Sequence, residues 1–200
     1  MKALIINLGS QYTHVIWRSF RDLGIEAVIH QPNIPLKDAL FFDTFILSGG
    51  PSSVNTMKKN IAFSLLELSK EDKLNRPILG ICLGHQLIAR IFGGEVKTGI
   101  SGEYGLTKIQ IIKKHKIFEG LPNSLNVWAS HFDQVSRLPE EFEVLASSSN
   151  CPIEAFAHRL KPIIGLQFHP EVWHTQYGEK ILSNFIDLAK KEIKKENLQS

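Results

Sequence analysis

Cysteine is scarce in this 200-residue chain: only Cys82 and Cys151 occur, and they form neither a C-x-x-C pair nor a Cys/His metal pattern. The sequence therefore predicts no metal site. A disulfide is not needed either, because a chain of this length can bury well over half of its unfolded surface. We expect residues 1–200 to form one domain in a reducing, cytoplasmic setting.

Long apolar runs and a strong charge imbalance are also absent. No stretch approaches the roughly 20 apolar residues that span a bilayer, and the N-terminus lacks a signal-peptide pattern. The 23 basic and 20 acidic residues give a formal net charge of +3, which is too small to indicate a nucleic-acid partner. We therefore expect neither a membrane protein nor a nucleic-acid-binding protein.

Strand and helix patterns alternate in the first half of the sequence. Apolar runs typical of buried strands occur at 3–8, 25–29, 44–48 and 77–81, and helical spacing occurs at 11–23, at 57–70 and after residue 82. In the second half, strand-like runs follow one another at 106–112, 125–129, 142–147, 153–158 and 163–168, before a closing helix at 177–195. This order predicts an α/β fold whose mostly parallel central sheet has helices on both faces and added antiparallel strands.

Cys82 lies between two glycines where an apolar strand becomes a helix, in Gly80-Ile81-Cys82-Leu83-Gly84-His85-Gln86. A sharp strand-to-helix turn presents a nucleophile, as in the G-x-S-x-G turn of serine hydrolases, and the glycines relieve crowding. The unpaired N–H groups at the helix start favour a thiolate. A buried structural cysteine is the alternative, because free cysteines are often buried.

A base and a carboxylate follow the apolar strand at 163–168, in His169-Pro170-Glu171. Residues two apart in extended backbone point to the same side, so Glu171 can orient the ring of His169. Together with Cys82 they would give the arrangement used in nucleophilic catalysis. A solvated strand end would give the same pattern, so the interpretation depends on the presence of Cys82.

Donors for an oxyanion are predicted where the strand at 44–48 ends, in Leu47-Ser48-Gly49-Gly50-Pro51. The backbone N–H of Gly50 and that of Leu83, directly after Cys82, could converge on one oxygen. Such donors contribute about 2.7–4 kcal/mol each in acyl transfer. An ordinary Gly-Gly-Pro turn is the alternative.

Three blocks, residues 47–51, 80–86 and 165–171, together resemble the class I, or triad, glutamine amidotransferases, and the resemblance extends from Leu4 to about Leu188. It implies that glutamine is hydrolysed to glutamate and ammonia. The implied roles are Cys82 as nucleophile, His169 as general base and acid, Glu171 as the residue that orients His169, Gly50 and Leu83 as the oxyanion hole, and Gln86, Ser130, His131 and Phe132 as glutamine-binding residues. For residues 130–132 an ordinary loop is the alternative.

Two further blocks, residues 7–13 and 127–135, are similar to the branch of this family that serves GMP synthases. In that branch the ammonia passes to an ATP pyrophosphatase, or synthetase, that converts XMP to GMP. The nucleotide loop of such a synthetase would resemble Ser-Gly-Gly-Val-Asp-Ser, whereas Ser48-Gly49-Gly50 continues here into Pro51. The resemblance thus implies a heterodimer in which the partner subunit carries ATP and Mg²⁺ and this chain needs no cofactor.

Two other interpretations stay open at this level. The chain could be a triad amidotransferase for another acceptor, such as a chorismate-using or pyrimidine-forming synthetase, or a stand-alone γ-glutamyl hydrolase. It could also be a catalytically silent regulatory domain on the same scaffold. The blocks at 7–13 and 127–135 favour the GMP synthase branch over the first group, and the intact Cys82, His169 and Glu171 favour an enzyme over a silent domain.

Overall fold

The computed structural model describes residues 1–199. Its strands are β1 (Lys2–Ile6), β2 (Glu26–His30), β3 (Thr44–Leu47), β4 (Ile78–Ile81), β5 (Glu95–Ile111), β6 (Ser124–Arg137), β7 (Phe142–Ser147), β8 (Ala155–His158) and β9 (Ile163–Leu166). Its α-helices are α1 (Thr13–Asp22), α2 (Leu36–Ala39), α3 (Ile61–Lys70), α4 (Leu83–Ile91) and α5 (Gly178–Gln199). A short 3₁₀ turn covers Lys116–Phe118.

All of these strands join one sheet in the order β2-β1-β3-β4-β9-β8-β7-β5-β6. The strands from β2 to β9 pair in parallel, and those from β9 to β6 pair antiparallel. The carboxyl ends of β3, β4 and β9 therefore lie at one edge of the sheet, side by side. The fold class predicted from the sequence, a mostly parallel sheet with added antiparallel strands, is confirmed.

The core is divided by the sheet because side chains alternate across a strand. On β1, Ala3 and Ile5 pack with apolar residues of α1 and α5, whereas Leu4 and Ile6 pack with those of α3 and α4. The parallel strands read as continuous buried runs for this reason. Helices thus cover both faces, as predicted.

Three predicted elements have different bounds. Helix α3 begins at Ile61 rather than at residue 57, because Asn60 caps it by accepting from the N–H of Ala62 at 2.9 Å. Strands β5 and β6 extend well beyond the runs at 106–112 and 125–129, through polar, glycine-containing sequence. The short helix α2 was not predicted at all.

Within residues 1–199, no helix combines the length and the apolar character needed to cross a membrane.

Candidate active site

Cys82 occupies a sharp turn between β4 and α4. Its backbone has φ +52° and ψ −103°, a region that residues with a side chain rarely adopt. A Cβ on Gly80 would lie 2.5 Å from the carbonyl group of Gly84, and one on Gly84 would lie 2.4 Å from the carbonyl oxygen of Leu47. Only glycine at both positions lets β3, β4 and α4 approach this closely, and that approach fixes the position of Cys82.

His169 follows β9, the sheet neighbour of β4, and its ring contacts a buried carboxylate. Nδ1 of His169 lies 2.7 Å from Oε1 of Glu171, so this nitrogen donates and the carboxylate accepts. The backbone of His169 is anchored as well: its N–H donates to the carbonyl of Trp128 at 2.9 Å, and its carbonyl accepts from the hydroxyl of Thr175 at 2.6 Å. The edge of the ring of Tyr12 packs against the imidazole, with centroids 5.3 Å apart.

The charge of Glu171 sets the protonation state of His169. Burial by itself disfavours the charged ring, but the carboxylate of Glu171 and the hydrogen bonds to Cys82 and Glu171 outweigh it and raise the pKa of His169 to about 10. At neutral pH the ring is therefore an imidazolium beside the sulfur of Cys82. A proton is in place for a leaving group.

Cys82 and His169 face a common cavity of about 500 Å³. Of the residues predicted from the sequence, the cavity is lined by Gly50, Cys82, Leu83, Gln86, Ser130, His131, Phe132 and His169. Glu171 lies behind His169 and not in the wall, as expected of a residue that acts through the ring. The structure therefore brings together side chains that are more than 80 positions apart in the sequence.

The whole length of the fold matches one family model. The model described as glutamine amidotransferase class-I covers residues 4–188. This chain belongs to the class I glutamine amidotransferase family.

Curated relatives are similar over nearly their full length. A subunit of the glutamine-hydrolyzing GMP synthase of Pyrococcus abyssi is 50% identical over 93% of this chain and 97% of the relative. The subunit of the same name from Archaeoglobus fulgidus is 44% identical over 96% of this chain and 100% of the relative.

Solved structures agree with this fold. A Thermoplasma acidophilum protein that is provisionally described as a GMP synthase subunit superposes with a TM-score of 0.88 at 36% identity, covering 100% of this chain and 98% of that one. A glutamine amidotransferase of Thermotoga maritima superposes with a TM-score of 0.71 at 26% identity, covering 98% and 85%.

Two of the predicted glutamine-binding residues of this amidotransferase also contact the protein. Nε2 of Gln86 donates to the carbonyl of Asp133 at 2.7 Å and to Oε1 of Gln167 at 3.1 Å, so the amide nitrogen ties α4 to β6. The ring of His131 is buried against Glu103. His131 can therefore offer the cavity its backbone, which is the contact that the family resemblance implied.

Ser130 and Phe132 border the nucleophile of the amidotransferase more directly. The carbonyl oxygen of Ser130 lies 3.7 Å from Sγ of Cys82, and the side chain of Phe132 is 43% exposed at the cavity. Sequence reasoning did not single out Glu103, Gln167 or Asp133. Their contacts are made by folding alone, and no local motif announces them.

Proposed function

We propose that this chain is the glutamine-hydrolysing subunit of a two-subunit GMP synthase. The observation that carries the proposal is the meeting of Cys82, His169 and the backbone of residues 130–132 in one cavity, on a chain about half identical to a curated subunit of a glutamine-hydrolyzing GMP synthase. A silent domain on this scaffold would not need the buried contact of 2.7 Å between His169 and Glu171.

The first half of the reaction forms a thioester. Sγ of Cys82 attacks the side-chain amide carbon of glutamine, and the carbonyl π electrons move to oxygen. The backbone N–H groups of Gly50 and Leu83 donate to this oxyanion. As the tetrahedral intermediate collapses, the C–N bond breaks, and His169 gives its proton to the departing nitrogen, which leaves as ammonia.

The second half releases glutamate. His169, now neutral, takes a proton from water as the water oxygen attacks the thioester carbon. Collapse breaks the C–S bond and regenerates the thiolate beside a protonated His169. Glu171 supports both halves, because its charge favours the imidazolium form and its hydrogen bond fixes Nδ1 as the protonated nitrogen.

The product requires a second subunit. In neutral water ammonia is mostly ammonium, which has no lone pair to attack an acceptor, so it is useful only if it passes directly to another active site. We propose that this site belongs to an ATP pyrophosphatase subunit, which holds ATP and Mg²⁺ and converts XMP to GMP in the cytoplasm. Support comes from the names of the relatives, each of which is one subunit of a glutamine-hydrolyzing GMP synthase.

The proposal is tested by combining this chain with an archaeal ATP pyrophosphatase subunit, XMP, ATP, Mg²⁺ and glutamine whose side-chain amide carries heavy nitrogen. GMP that contains the heavy nitrogen, together with an equal amount of glutamate, is expected. Glutamate without GMP would mean that the acceptor is a different one. No glutamate under any condition, with a correctly folded chain, would mean a silent domain.

A further inference from the structure

A cluster of buried polar side chains lies next to the cavity and outside the proposed triad. It consists of Glu103 on β5, His131 on β6, Ser148 and Cys151 in the turn after β7, and Glu154 before β8. Glu103 is 3% exposed, and Glu154 and Cys151 are not exposed at all. No step of the proposed reaction uses these side chains, so their burial needs another explanation.

Glu103 connects three segments of the chain. Nε2 of His131 lies 2.7 Å from Oε2 of Glu103, so one proton lies between these two atoms. The other oxygen of Glu103 accepts from the hydroxyl of Ser148, which itself accepts from the N–H of Cys151 at 2.9 Å. Strands β5 and β6 and the turn at 148–151 are thereby joined through one carboxylate.

His131 passes this constraint to the wall of the cavity. Its Nδ1 lies 3.0 Å from the carbonyl oxygen of Asp133, which can only accept, so Nδ1 donates. The same oxygen accepts from Gln86 at 2.7 Å. Between these fixed points lie the backbone of Ser130, whose oxygen is 3.7 Å from the sulfur of Cys82, and that of Phe132.

Glu154 completes the cluster as a neutral acid. Among the residues that the structure describes, no hydrogen-bond donor contacts either of its oxygens. Burial and the nearby charge of Glu103 raise the pKa of Glu154 well above its usual range. The protonated carboxyl group can donate to Glu103, which removes the cost of burying two carboxylates side by side.

A proton explains the cluster better than a metal ion does. Ligand atoms of Glu103, His131, Cys151 and Glu154 lie within 4.8 Å of one another, but a metal would need Cys151 as a thiolate and Nε2 of His131 as a free lone pair. Burial instead raises the pKa of Cys151, which keeps the thiol protonated. Nε2 of His131 is already engaged by Glu103.

We propose that Glu103, His131 and a neutral Glu154 form a positioning unit that holds residues 130–133 in the conformation that binds glutamine. The inference rests on the proposed function and adds residues that act through the backbone of β6 without touching the substrate. The sequence motif around Ser130 and His131 would then be retained for two reasons: the backbone forms the cavity wall, and the ring fixes that backbone.

The test measures binding in the complex with the synthetase subunit, using a chloroketone analogue of glutamine that alkylates Cys82 and iodoacetamide, which needs no glutamine pocket. Glu103→Ala is expected to raise the half-saturating concentration of the analogue about tenfold, because it leaves buried groups unpaired. The rate with iodoacetamide should stay the same. Glu103→Gln, which can still share a hydrogen with His131, and Glu154→Gln, which imitates a neutral carboxyl, should restore binding to within about threefold.

Hydrogen exchange of the amides at 130–133 gives an independent measurement. Exchange should accelerate in Glu103→Ala and stay slow in Glu103→Gln and Glu154→Gln. If Glu103→Ala does not fold, as judged by ammonia-dependent GMP formation and thermal unfolding, Ser148→Ala removes a single donor to Glu103 and should produce a smaller change of the same kind.

Several results would overturn the inference. Unchanged binding and exchange in Glu103→Ala would show that the cluster does not position β6. Damage by Glu154→Gln equal to that of Glu103→Ala, or stoichiometric zinc that Glu154→Gln removes, would show an ionised Glu154. If the analogue fails to react with the wild-type complex while iodoacetamide alkylates Cys82, the proposed function fails, and the exchange data still decide whether the unit positions β6.

Discussion

His169 keeps its proton at neutral pH because the carboxylate of Glu171 lies 2.7 Å from it in a buried place. The pKa of about 10 is the balance of burial, which lowers it, and the charge and hydrogen bonds around the ring, which raise it further. The same ring must give a proton to ammonia and later take one from water. Both tasks depend on a single neighbouring charge.

Glu171→Gln tests this dependence. Without the negative charge the burial of the ring dominates, so the pKa of His169 should fall by about 1–3 units. The imidazolium would then be lost at lower pH, and the alkaline limit of glutaminase activity should move to lower pH by a similar amount. The measurement is kcat against pH for the complex.

The matched control is Glu141→Gln, since Glu141 is exposed and does not line the cavity. Its pH profile should overlay that of the wild type. An alkaline limit that stays in place in Glu171→Gln would mean that Glu171 does not set the protonation of His169.

The positions of the candidate triad could be predicted from the sequence because each member lies in a short local motif. Cys82 is flanked by two glycines, and Glu171 is two positions from His169 along an extended segment. Glu103 could not be found in this way. It lies 28 positions from His131, and only the pairing of β5 with β6 brings the two together.

At the scale of elements, the site depends on how closely β3, β4 and α4 pack. Gly80 and Gly84 touch each other's backbone region, and Gly84 also lies against Leu47 of β3. Any side chain there would push α4 away from the sheet and displace Cys82 from His169. The two glycines are required by contact between backbones, in addition to the turn itself.

Gly84→Ala is therefore expected to lower the free energy of unfolding by about 3 kcal/mol or more, because the new methyl group meets backbone that cannot move aside. Gly24→Ala is the control. Gly24 has φ +76° and open space around it, so alanine there meets only backbone strain of about 1–2 kcal/mol. Denaturant unfolding measures both; equal losses in the two variants would contradict the packing argument.

The hairpin of β5 and β6 shows where element prediction fails. Residues 99–105 contain three glycines and a serine, which have low strand propensity, so the sequence predicted a strand only from residue 106. The register shift between Thr98 and Glu103 absorbs extra residues, and β6 supplies the partner that holds the segment extended. This part of the structure, which carries Glu103, is determined by tertiary pairing.

At the scale of the whole molecule, the sheet divides the core and one titratable ring lies inside it. His85 on α4 is fully buried and packs on Phe156 of β8, with ring centroids 4.4 Å apart. Burial lowers the pKa of His85 to about 3. The folded protein therefore holds this ring neutral, whereas the unfolded chain protonates it below a pH of about 6.5.

Stability should consequently fall as the pH drops from about 6.5 towards 3, because the unfolded state binds the extra proton. His85→Met removes this group and keeps an apolar side chain of similar size. Between about pH 7 and pH 5 the wild type should lose about 2 kcal/mol relative to the variant. The measurement is urea unfolding of both proteins across this range, and parallel pH profiles would contradict it.

The central claim, that Cys82 is the nucleophile that releases ammonia for a partner subunit, is tested most directly by Cys82→Ala in the complex with the ATP pyrophosphatase subunit. GMP formation is measured with glutamine and, separately, with ammonium salt as the nitrogen source. We expect glutamine-dependent GMP formation to be abolished while the ammonium-dependent reaction continues at the wild-type rate. Glutamine-dependent activity that survives in Cys82→Ala would contradict the claim.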